Sequence, residues 1–486
     1  MEQFVEKILK FEEDWDVNTW RIYGVDIWPY VRIKLFFYFI QFSKEKSFQK
    51  LNPKSSKRKK TYGKIFSICK AIVNTELFFL GLKKKKIIFF GSYFHRTLQD
   101  GKFFNRFFDP MILEHNLQND VYLVEFQKTL NNCIHPEAII SLVKQLRYFE
   151  LSTKFKDKLY KTINPSSVSL KGYGDFYISL NSIKNLDDLK IDEENLIRWA
   201  YKIQVKSIFF KRFYSKVNPD KIILLSSYGF DDLYAAIYAA NELGIKTIDF
   251  QHGPQTNINM AYTNWSKSPK SGFNILPKAY WNWDTNSYNN INKWAKNIDA
   301  ITVKKVGHPY LEWIRNNSYQ SDATGYTIIY SLQTLSLDKT FPFNLIRLIR
   351  DLNFTWVFRL HPRSPFGIDQ LSEFLSDNHV NNKKYKIEAS NKVPLPITLS
   401  KSFIHITNYS GCLLESNMMG VPSVIIHVLG KKLFHNYIDN DFIMYRNIQD
   451  NNSYTAIKEV IIKKSMLPNN KSQIELMNIF NPLLEK

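Results

Sequence analysis

Short, fully apolar runs alternate with segments of helical periodicity in the second half of the chain. Strands are predicted at residues 326–331, 354–360, 402–407 and 422–427, and helices at 343–352, 368–376 and 411–419. Strands that are apolar on both faces are typical of parallel sheets covered by helices. This half of the chain is therefore predicted to be a nucleotide-binding α/β domain.

The first half shows the same alternation less regularly. A buried strand is predicted at residues 87–91, and strands at 221–227 and 245–250 surround a helix at 231–243 that ends at Gly244. A glycine at this position is a common helix C-cap, so the segment predicts a βαβ unit. The fold class is predicted to be α/β of GT-B type, with two Rossmann-like domains facing a central cleft.

Residues 1–48 are dense in aromatic side chains and predict an N-terminal helical addition, whereas the polar segment 49–62 predicts a linker. The predicted domains are residues 1–62 (helical region and basic linker), 63–305 (Rossmann-like acceptor domain), 306–450 (Rossmann-like nucleotide-sugar domain) and 451–486 (C-terminal helices).

Composition narrows the class of protein. A chain of 486 residues with 44% apolar side chains is long enough for more than one core. Its three cysteines lack the spacing of a disulfide framework or a zinc site, and the N-terminus does not read as a signal peptide, so a cytoplasmic location is expected. The apolar segment 33–42 is about half the length of a membrane span.

The formal charge of +21 is concentrated in two basic runs, at residues 54–60 and 83–86. Two interpretations stay open: peripheral contact with the anionic inner face of the cell membrane, and a solvated linker with a guard for an edge strand. No RNA- or DNA-binding signature accompanies the runs, so nucleic acid is not an expected partner.

Three groups that can donate to phosphate leave the strand predicted at 354–360 together. They are Arg359, His361 and Arg363, and Pro362 fixes the backbone between them. The functional hypothesis is a phosphate clamp. The alternative is a histidine that bonds neighbouring backbone, with the arginines in solvent.

Ser410 and Gly411 follow the strand predicted at 402–407 and begin the next helix. A serine hydroxyl and the unbonded N–H groups of a first helical turn predict an anion site. Glu415, about one turn further on, is placed to accept hydrogen bonds from a ribose diol. The alternative is a serine N-cap with a first-turn acid, which needs no ligand.

Gly420-Val421-Pro422 then completes an S-G-x-x-x-E-x-x-x-x-G-x-P pattern. With the preceding His-Pro-Arg motif, this half of the chain resembles the donor-nucleotide domain of GT-B glycosyltransferases of bacterial capsule and lipopolysaccharide biosynthesis. The resemblance to sialyl- and Kdo-transferases of this kind implies that His361 and Ser410 bind the phosphate of a CMP-sugar.

His252 lies at the end of the second strand of the βαβ unit, between Gln251 and Gly253. Its ordinary pKa suits proton transfer near neutrality, and Gly253 permits the close approach of a ligand. A histidine-glycine pair here is similar to one in capsule transferases and teichoic-acid glycerophosphotransferases, which implies a catalytic base. The alternatives are a structural histidine and, as bases, Asp232 or Asp100, because inverting transferases often use a carboxylate.

The segment 92–110, after the first predicted strand, is predicted to be a loop on the acceptor side of the cleft. Its polar and charged groups are Ser92, His95, Arg96, Asp100 and Arg106. Gln251 and Gly253 are assigned to the same side.

His308 lies between the two halves, in a Gly-His-Pro segment similar to one that the family carries there. It is a candidate nucleotide ligand, with a hinge role as the alternative. Asp439 and Asp441 form a D-x-D sequence, for which a turn is predicted. A metal is not expected, because the cations around His361 can neutralise a leaving phosphate.

These motifs imply an inverting, metal-independent glycosyltransferase. It would move a sugar from a nucleotide donor, with a CMP-sugar preferred, to a surface polysaccharide or a lipid-linked glycan. The nucleotide-sugar is a substrate, and no cofactor is expected. Two alternatives stay open: a CDP-alditol phosphotransferase of the teichoic-acid type, and a non-catalytic GT-B-like scaffold of a polysaccharide assembly complex.

Overall fold

The computed structural model describes residues 2–43, 62–126, 129–157, 168–183, 191–317 and 327–466. The basic run at 54–60 and the C-terminal region after residue 466 lie outside these ranges. The strands are β1 (Arg21–Ile22), β2 (Val25–Asp26), β3 (Ile87–Gly91), β4 (Arg96–Gln99), β5 (Lys102–Asn105), β6 (Val121–Glu125), β7 (Ile139–Ser141), β8 (Val168–Ser169), β9 (Lys221–Leu224), β10 (Lys246–Phe250), β11 (Ala279–Asn282), β12 (Thr302–Lys305), β13 (Thr327–Ser331), β14 (Thr355–Arg359), β15 (Tyr385–Glu388), β16 (Ser402–Thr407), β17 (Ser423–Ile425) and β18 (Ile443–Tyr445). The α-helices are α1 (Glu2–Asp14), α2 (Trp28–Ser43), α3 (Tyr62–Leu80), α4 (Phe108–Glu114), α5 (Val143–Asp157), α6 (Tyr173–Asn181), α7 (Glu193–Val217), α8 (Asp231–Glu242), α9 (Thr285–Ala295), α10 (Pro309–Asn316), α11 (Leu337–Thr340), α12 (Phe343–Asp351), α13 (Ile368–Asp377), α14 (Leu395–Ser400), α15 (Cys412–Met418), α16 (Val428–Leu433) and α17 (Ser453–Ser465).

Seven parallel strands form the first sheet, in the order β12-β11-β10-β9-β3-β6-β7. Counted along the chain this is 3-2-1-4-5-6-7, the strand order of dinucleotide-binding folds with one strand added. The chain leaves in opposite directions from the neighbouring strands β3 and β9. Loops diverge at such a switch point, so the C-terminal ends of these strands border a crevice.

Six parallel strands form the second sheet, in the order β15-β14-β13-β16-β17-β18, which along the chain is 3-2-1-4-5-6. Its switch point lies between β13 and β16. The two sheets confirm the predicted GT-B fold class of two Rossmann-like domains, called the first and the second domain below.

The segment 92–110 is not the loop that the sequence suggested. It forms the antiparallel hairpin β4–β5 and then helix α4. Asp100 and Gly101 turn the hairpin with φ values of 48° and 75°. Two positive φ values are what a two-residue hairpin turn requires, and Asp-Gly is a preferred sequence for it.

The N-terminal region is helical over α1 and α2, as predicted, and packs on the first domain. Glu12 and Arg32 form a fully buried ion pair at 3.3 Å, and the Arg32 guanidinium lies over the Trp265 ring. The Tyr30 hydroxyl donates to Asp231 at 2.6 Å, at the start of α8. These contacts fix the addition beside the switch point of the first sheet.

An apolar cluster joins the two domains. Phe107 and Trp283 of the first domain belong to it, together with Leu413, Leu414 and Phe434 of the second. Since burial of such side chains is the main favourable contribution to association, this cluster holds the domains together.

Polar contacts cross the interface as well. The backbone N–H of Leu98 donates to Asn391 O at 2.9 Å, and the Tyr437 hydroxyl donates to Asp284 Oδ1 at 2.8 Å. A Cβ atom added to Gly411 of the second domain would stand 3.0 Å from Pro254 of the first. The domains therefore face each other in a closed arrangement.

Helix α10 and the basic run at 83–86 both differ from what the sequence predicted. Helix α10 follows the predicted domain boundary at 305/306 but packs on the first domain, where the Trp313 ring lies 4.9 Å from that of Phe104. The basic run at 83–86 leads into β3, which is paired on both sides, so the prediction of an edge-strand guard is wrong there. In the described part of the chain, no helix is long and apolar enough to span a membrane.

Candidate active site between the two domains

Five polar side chains from loops and helix ends meet at the domain interface. His95 lies in the turn after β3, Arg106 directly after β5, and His252 two residues after β10. His308 precedes α10, and Glu415 lies in α15 of the second domain. These five residues are called the interdomain polar cluster below.

Glu415 is the residue that the second domain contributes to the cluster. Its Oε1 atom lies 3.6 Å from His308 Nε2 and 3.9 Å from Arg106 Nη1. The His95 and His252 rings are 5.9 Å apart between centroids. The sequence had placed Glu415 and His308 among the nucleotide ligands, His252 as a candidate base and His95 on the acceptor side, and the structure brings these residues together.

Aromatic rings pack between these groups. Phe107 lies 5.5 Å from the His95 ring and 5.7 Å from that of His308, and Arg106 lies over its face at 5.3 Å. The Trp283 ring is 4.2 Å from His308. The rings exclude water from the imidazoles and hold them in place.

Several buried atoms of the cluster have no hydrogen-bond partner among the described residues. They are His95 Nδ1, His252 Nδ1, His308 Nε2 and Glu415 Oε1. A buried polar atom without a partner costs about 1–3 kcal/mol, so proteins rarely collect several in one place. Such a concentration is typical of a site that a ligand completes.

The histidines of the cluster are held in the neutral form. Burial lowers the pKa of His252 to about 4 and that of His308 to about 3, and repulsion from Arg106 adds to both shifts. Burial likewise holds the pKa of His95 well below its ordinary value. Neutral imidazoles have a free lone pair, as a general base must, but pKa values this low make them weak bases.

Glu415 responds to opposing influences. Burial raises the pKa of its carboxyl group above the ordinary value, and the positive charges of Arg106 and Arg359 offset this shift only in part. One cation from each domain thus acts on the carboxyl group. An anionic ligand would compete with it for these cations.

Ser410 lies at the switch point of the second sheet and is buried. Its Oγ accepts the Cys412 N–H at 3.3 Å, and its own N–H donates to Thr407 Oγ1 at 2.9 Å. Gly411 occupies the N-cap position of α15, so Ser410 bonds the first helical N–H from one residue before the cap. Gly411 follows Ser410 at the contact with Pro254, and binding of a phosphate by either residue stays a prediction.

The His-Pro-Arg segment follows β14 as predicted, but its members differ in availability. Arg359 is buried and donates to Glu388 at 3.2 Å and to the Ser390 carbonyl at 2.9 Å. Its guanidinium is therefore engaged within the second domain, and binding of a phosphate by Arg359 stays a prediction. His361 is half-buried and accepts the Arg363 N–H at 3.0 Å.

Pro362 and Arg363 are exposed, so the arginine fork can reach an incoming anion. Strand β13 separates β14 from β16, and adjacent strands are about 4.8 Å apart. His361 and Ser410 consequently leave the sheet about 10 Å apart. That separation fits opposite ends of one ligand better than a shared phosphate.

The two alternative bases lie outside the cluster. Asp232 accepts a hydrogen bond from Lys206 of α7, and this lysine also pairs with Glu150 of α5. Asp100 is exposed in the turn of the β4–β5 hairpin. The structure therefore does not bring these two carboxylates to the cluster, whereas it brings His252 there, and the identity of the base stays a prediction.

Two predicted acceptor-side residues are engaged within the first domain. Arg96 is buried and pairs with Glu125 at 2.9 Å and Asp109 at 3.8 Å. Gln251 is also buried, where it donates to Ser287 Oγ at 2.9 Å and accepts the Trp283 N–H at 2.7 Å. They support the cluster rather than line it.

The remaining acceptor-side predictions lie at the edge of the cluster. Ser92 is buried at the end of β3, where its carbonyl accepts the His95 N–H at 3.1 Å. Gly253 is half-buried, and a Cβ atom added there would meet nothing within 4 Å. The space beside Gly253 adjoins His252, as an acceptor site requires.

The D-x-D sequence forms the predicted turn. Asp439 Oδ1 accepts the backbone N–H groups of Asp441, Phe442 and Ile443 at 2.7–3.0 Å. Asp441 pairs with Lys464.

Sequence reasoning missed how Arg106 and Trp283 contribute. Arg106 appeared as one of many polar groups of a loop, and nothing in its neighbours indicated a contact with the second domain. Trp283 lies directly after β11, a strand that the sequence analysis did not predict, and no motif surrounds it.

A surface depression of about 360 Å³ lies elsewhere. It is lined by residues of the segment 129–141, none of which belongs to the cluster.

No protein-family model matches the chain, and no curated protein sequence matches it significantly. Solved structures with a similar fold include the UDP-GlcNAc 2-epimerases of Methanocaldococcus jannaschii (15% identity, 82% of this chain and 96% of that one, TM-score 0.43) and Neisseria meningitidis (14%, 82% and 96%, 0.44). MurG of Acinetobacter baumannii is another (11%, 82% and 98%, 0.44). At TM-scores below 0.5 the likeness is distant, and the function proposed below rests on the side chains of this chain.

Proposed function

We propose that this protein is a nucleotide-sugar-dependent, inverting glycosyltransferase. The observation that carries the proposal is the interdomain polar cluster, in which groups from two Rossmann-like domains meet with several buried atoms unpaired. Parallel sheets of this kind bind ligands beyond the C-terminal ends of their strands, at the switch point. A ligand held by both domains would supply the missing hydrogen bonds.

The nucleotide would occupy the switch point of the second sheet, beside Ser410 and Glu415. Its phosphate would then approach Arg106, which lies 3.9 Å from Glu415. Arginine bonds to phosphate are strong because both partners are charged and the fork is planar. The resemblance to sialyl- and Kdo-transferases makes a CMP-sugar the proposed donor.

In the proposed reaction, the acceptor hydroxyl attacks the anomeric carbon while His252 takes its proton. The bond between that carbon and the phosphate oxygen breaks, and the phosphate leaves towards Arg106, His361 and Arg363. A neighbouring phosphate would offset the charge of Arg106, which contributes to the low pKa of His252, and so make the imidazole a stronger base. A single displacement inverts the anomeric configuration.

A thermal-shift panel of CMP, CDP, UDP and GDP tests the donor site. We expect CMP to raise the midpoint of the wild-type protein. We also expect Arg106→Gln to weaken CMP binding about tenfold or more while leaving cytidine binding unchanged, because one charged hydrogen bond contributes about 1.5–3 kcal/mol. The exposed Arg350→Gln is the matched control.

The proposal fails if no nucleotide stabilises the wild-type protein. Preference for UDP or GDP would change the donor alone. His252→Asn should lower transfer at least about a hundredfold with CMP affinity intact, as expected for loss of a general base. A product with a new phosphodiester would instead assign the protein to the alditol phosphotransferases.

A further inference from the structure

One face of α3 is apolar and turned to solvent. Val73, Leu77 and Leu80 are 56%, 60% and 74% exposed. Their spacing of four and three residues places them in a single stripe along the helix. Isolated apolar residues on a surface are common, but a stripe of this kind marks an interaction site.

Contacts of α3 with α7 hold the helix in this orientation. Phe79 is buried and packs on Phe209 of α7 at 5.2 Å between ring centroids. Glu76 forms an ion pair with Arg212, whose guanidinium lies over the Phe79 ring. The stripe is therefore presented by a helix that is fixed to the first domain.

Basic side chains surround the stripe. Lys70 lies about one turn before Val73, and Lys83 and Lys84 lie three and four residues after Leu80, beyond the end of α3; all three lysines are exposed. Glu76, the acidic residue of α3, pairs with Arg212 of α7 and is thereby neutralised. The chain as a whole carries a formal charge of +21.

We propose that this face of α3 docks on an anionic lipid membrane. The α3 surface is defined by Lys70, Val73, Leu77, Leu80, Lys83 and Lys84. An interfacial helix buries an apolar stripe at the level of the headgroups while its lysines contact lipid phosphates. A second copy of the chain is a poorer occupant, because a two-fold interface would bring two copies of the same basic surface together.

This inference is independent of glycosyl transfer, since the residues of the interdomain polar cluster take no part in it. It proposes that the basic run at residues 83–86 contacts lipid headgroups. It also predicts the side of the first domain that faces the membrane.

Co-sedimentation with vesicles tests the proposal on the full chain. The vesicles contain phosphatidylcholine alone or phosphatidylcholine with phosphatidylglycerol. The variants are Val73→Ser/Leu77→Ser/Leu80→Ser and Lys83→Glu/Lys84→Glu. The matched controls are Ile178→Ser, an exposed apolar residue of α6, and Lys383→Glu/Lys386→Glu, at the edge of the second sheet.

We expect the wild-type protein to bind the anionic vesicles and to be released by salt, because each lysine near the surface contributes an attraction that salt screens. Each α3 variant should bind at least about tenfold more weakly, and both controls should bind like the wild type. Since the altered residues are exposed, thermal midpoints should stay unchanged.

Cys69 offers a second readout on the same face. It is exposed, whereas Cys133 is buried and Cys412 is half-buried. A polarity-sensitive dye on Cys69 should report a less polar environment when anionic vesicles are added, and the triple serine variant should abolish this change.

Three results would overturn the proposal. One is absence of wild-type binding to anionic vesicles, and another is undiminished binding by both α3 variants. The third is a concentration-dependent dimer that the triple serine variant abolishes, which would assign the surface to a second copy of the chain.

Discussion

Gly430 lies where α16 crosses the loop that carries the proposed donor residues. A Cβ atom added there would stand within 3.0 Å of the Asn408 carbonyl oxygen and 2.5 Å from Ile425 Cγ2. Real Cβ atoms are not found so close to backbone, so Gly430→Ala must displace Asn408 and with it the nearby Ser410. Overpacking of this kind costs about 1–3 kcal/mol.

Helix propensity acts in the opposite direction, because alanine is favoured over glycine by about 1 kcal/mol in a helix. With the clash at the upper end of its range, we expect a net loss of about 2 kcal/mol. For a domain of this size the thermal midpoint should fall by about 4–8 °C. CMP should also bind more weakly, since the donor loop moves.

Gly174→Ala is the matched control, because Gly174 lies in α6 and nothing stands within 4 Å of an added Cβ atom. Its midpoint should stay unchanged or rise. A Gly430→Ala protein that melts at or above the wild-type temperature would refute the reasoning from close contact.

Two further changes test the interior of each domain. Burial lowers the pKa of His405 to about 3, so the folded state excludes a proton that the unfolded chain binds below about pH 6.5, and stability is lost as pH falls. In urea unfolding, the wild-type advantage over His405→Gln should shrink by about 2 kcal/mol between about pH 7 and pH 5, and a constant difference would contradict this. Arg96→Met leaves the buried carboxylates of Glu125 and Asp109 without their cation and should cost about 3–5 kcal/mol in urea unfolding, whereas a loss below about 1 kcal/mol would show that the pair contributes little.

The fold was predictable where strands are apolar on both faces. Residues 326–331 and 402–407 were placed to within a residue of β13 and β16, because such runs fit a covered parallel strand. The hairpin β4–β5 was missed, since buried Arg96 makes β4 read as polar. Its Asp100-Gly101 turn was the available signal.

The candidate site was predictable in part for the same reason. His252, His308 and Glu415 follow strands or begin helices, where functional groups collect, so their positions selected them together with the family resemblance of the motifs. The role of Arg106 depends on how the two domains face each other, and periodicity within either half contains no information on that. The pairing of Arg359 with Glu388 could not be foreseen, because the two residues lie on different strands.

The apolar cluster between the domains and the polar cluster beside it differ in how water affects them. Water can replace the contacts of Arg106, His308 and Glu415 at little cost, but it cannot replace those of Leu414 with the first domain. The interface should therefore part at its polar side and pivot about its apolar side. Substrate entry would then be a rotation that leaves the hydrophobic contact intact, and mutations in that contact should alter the rate of opening more than the chemistry.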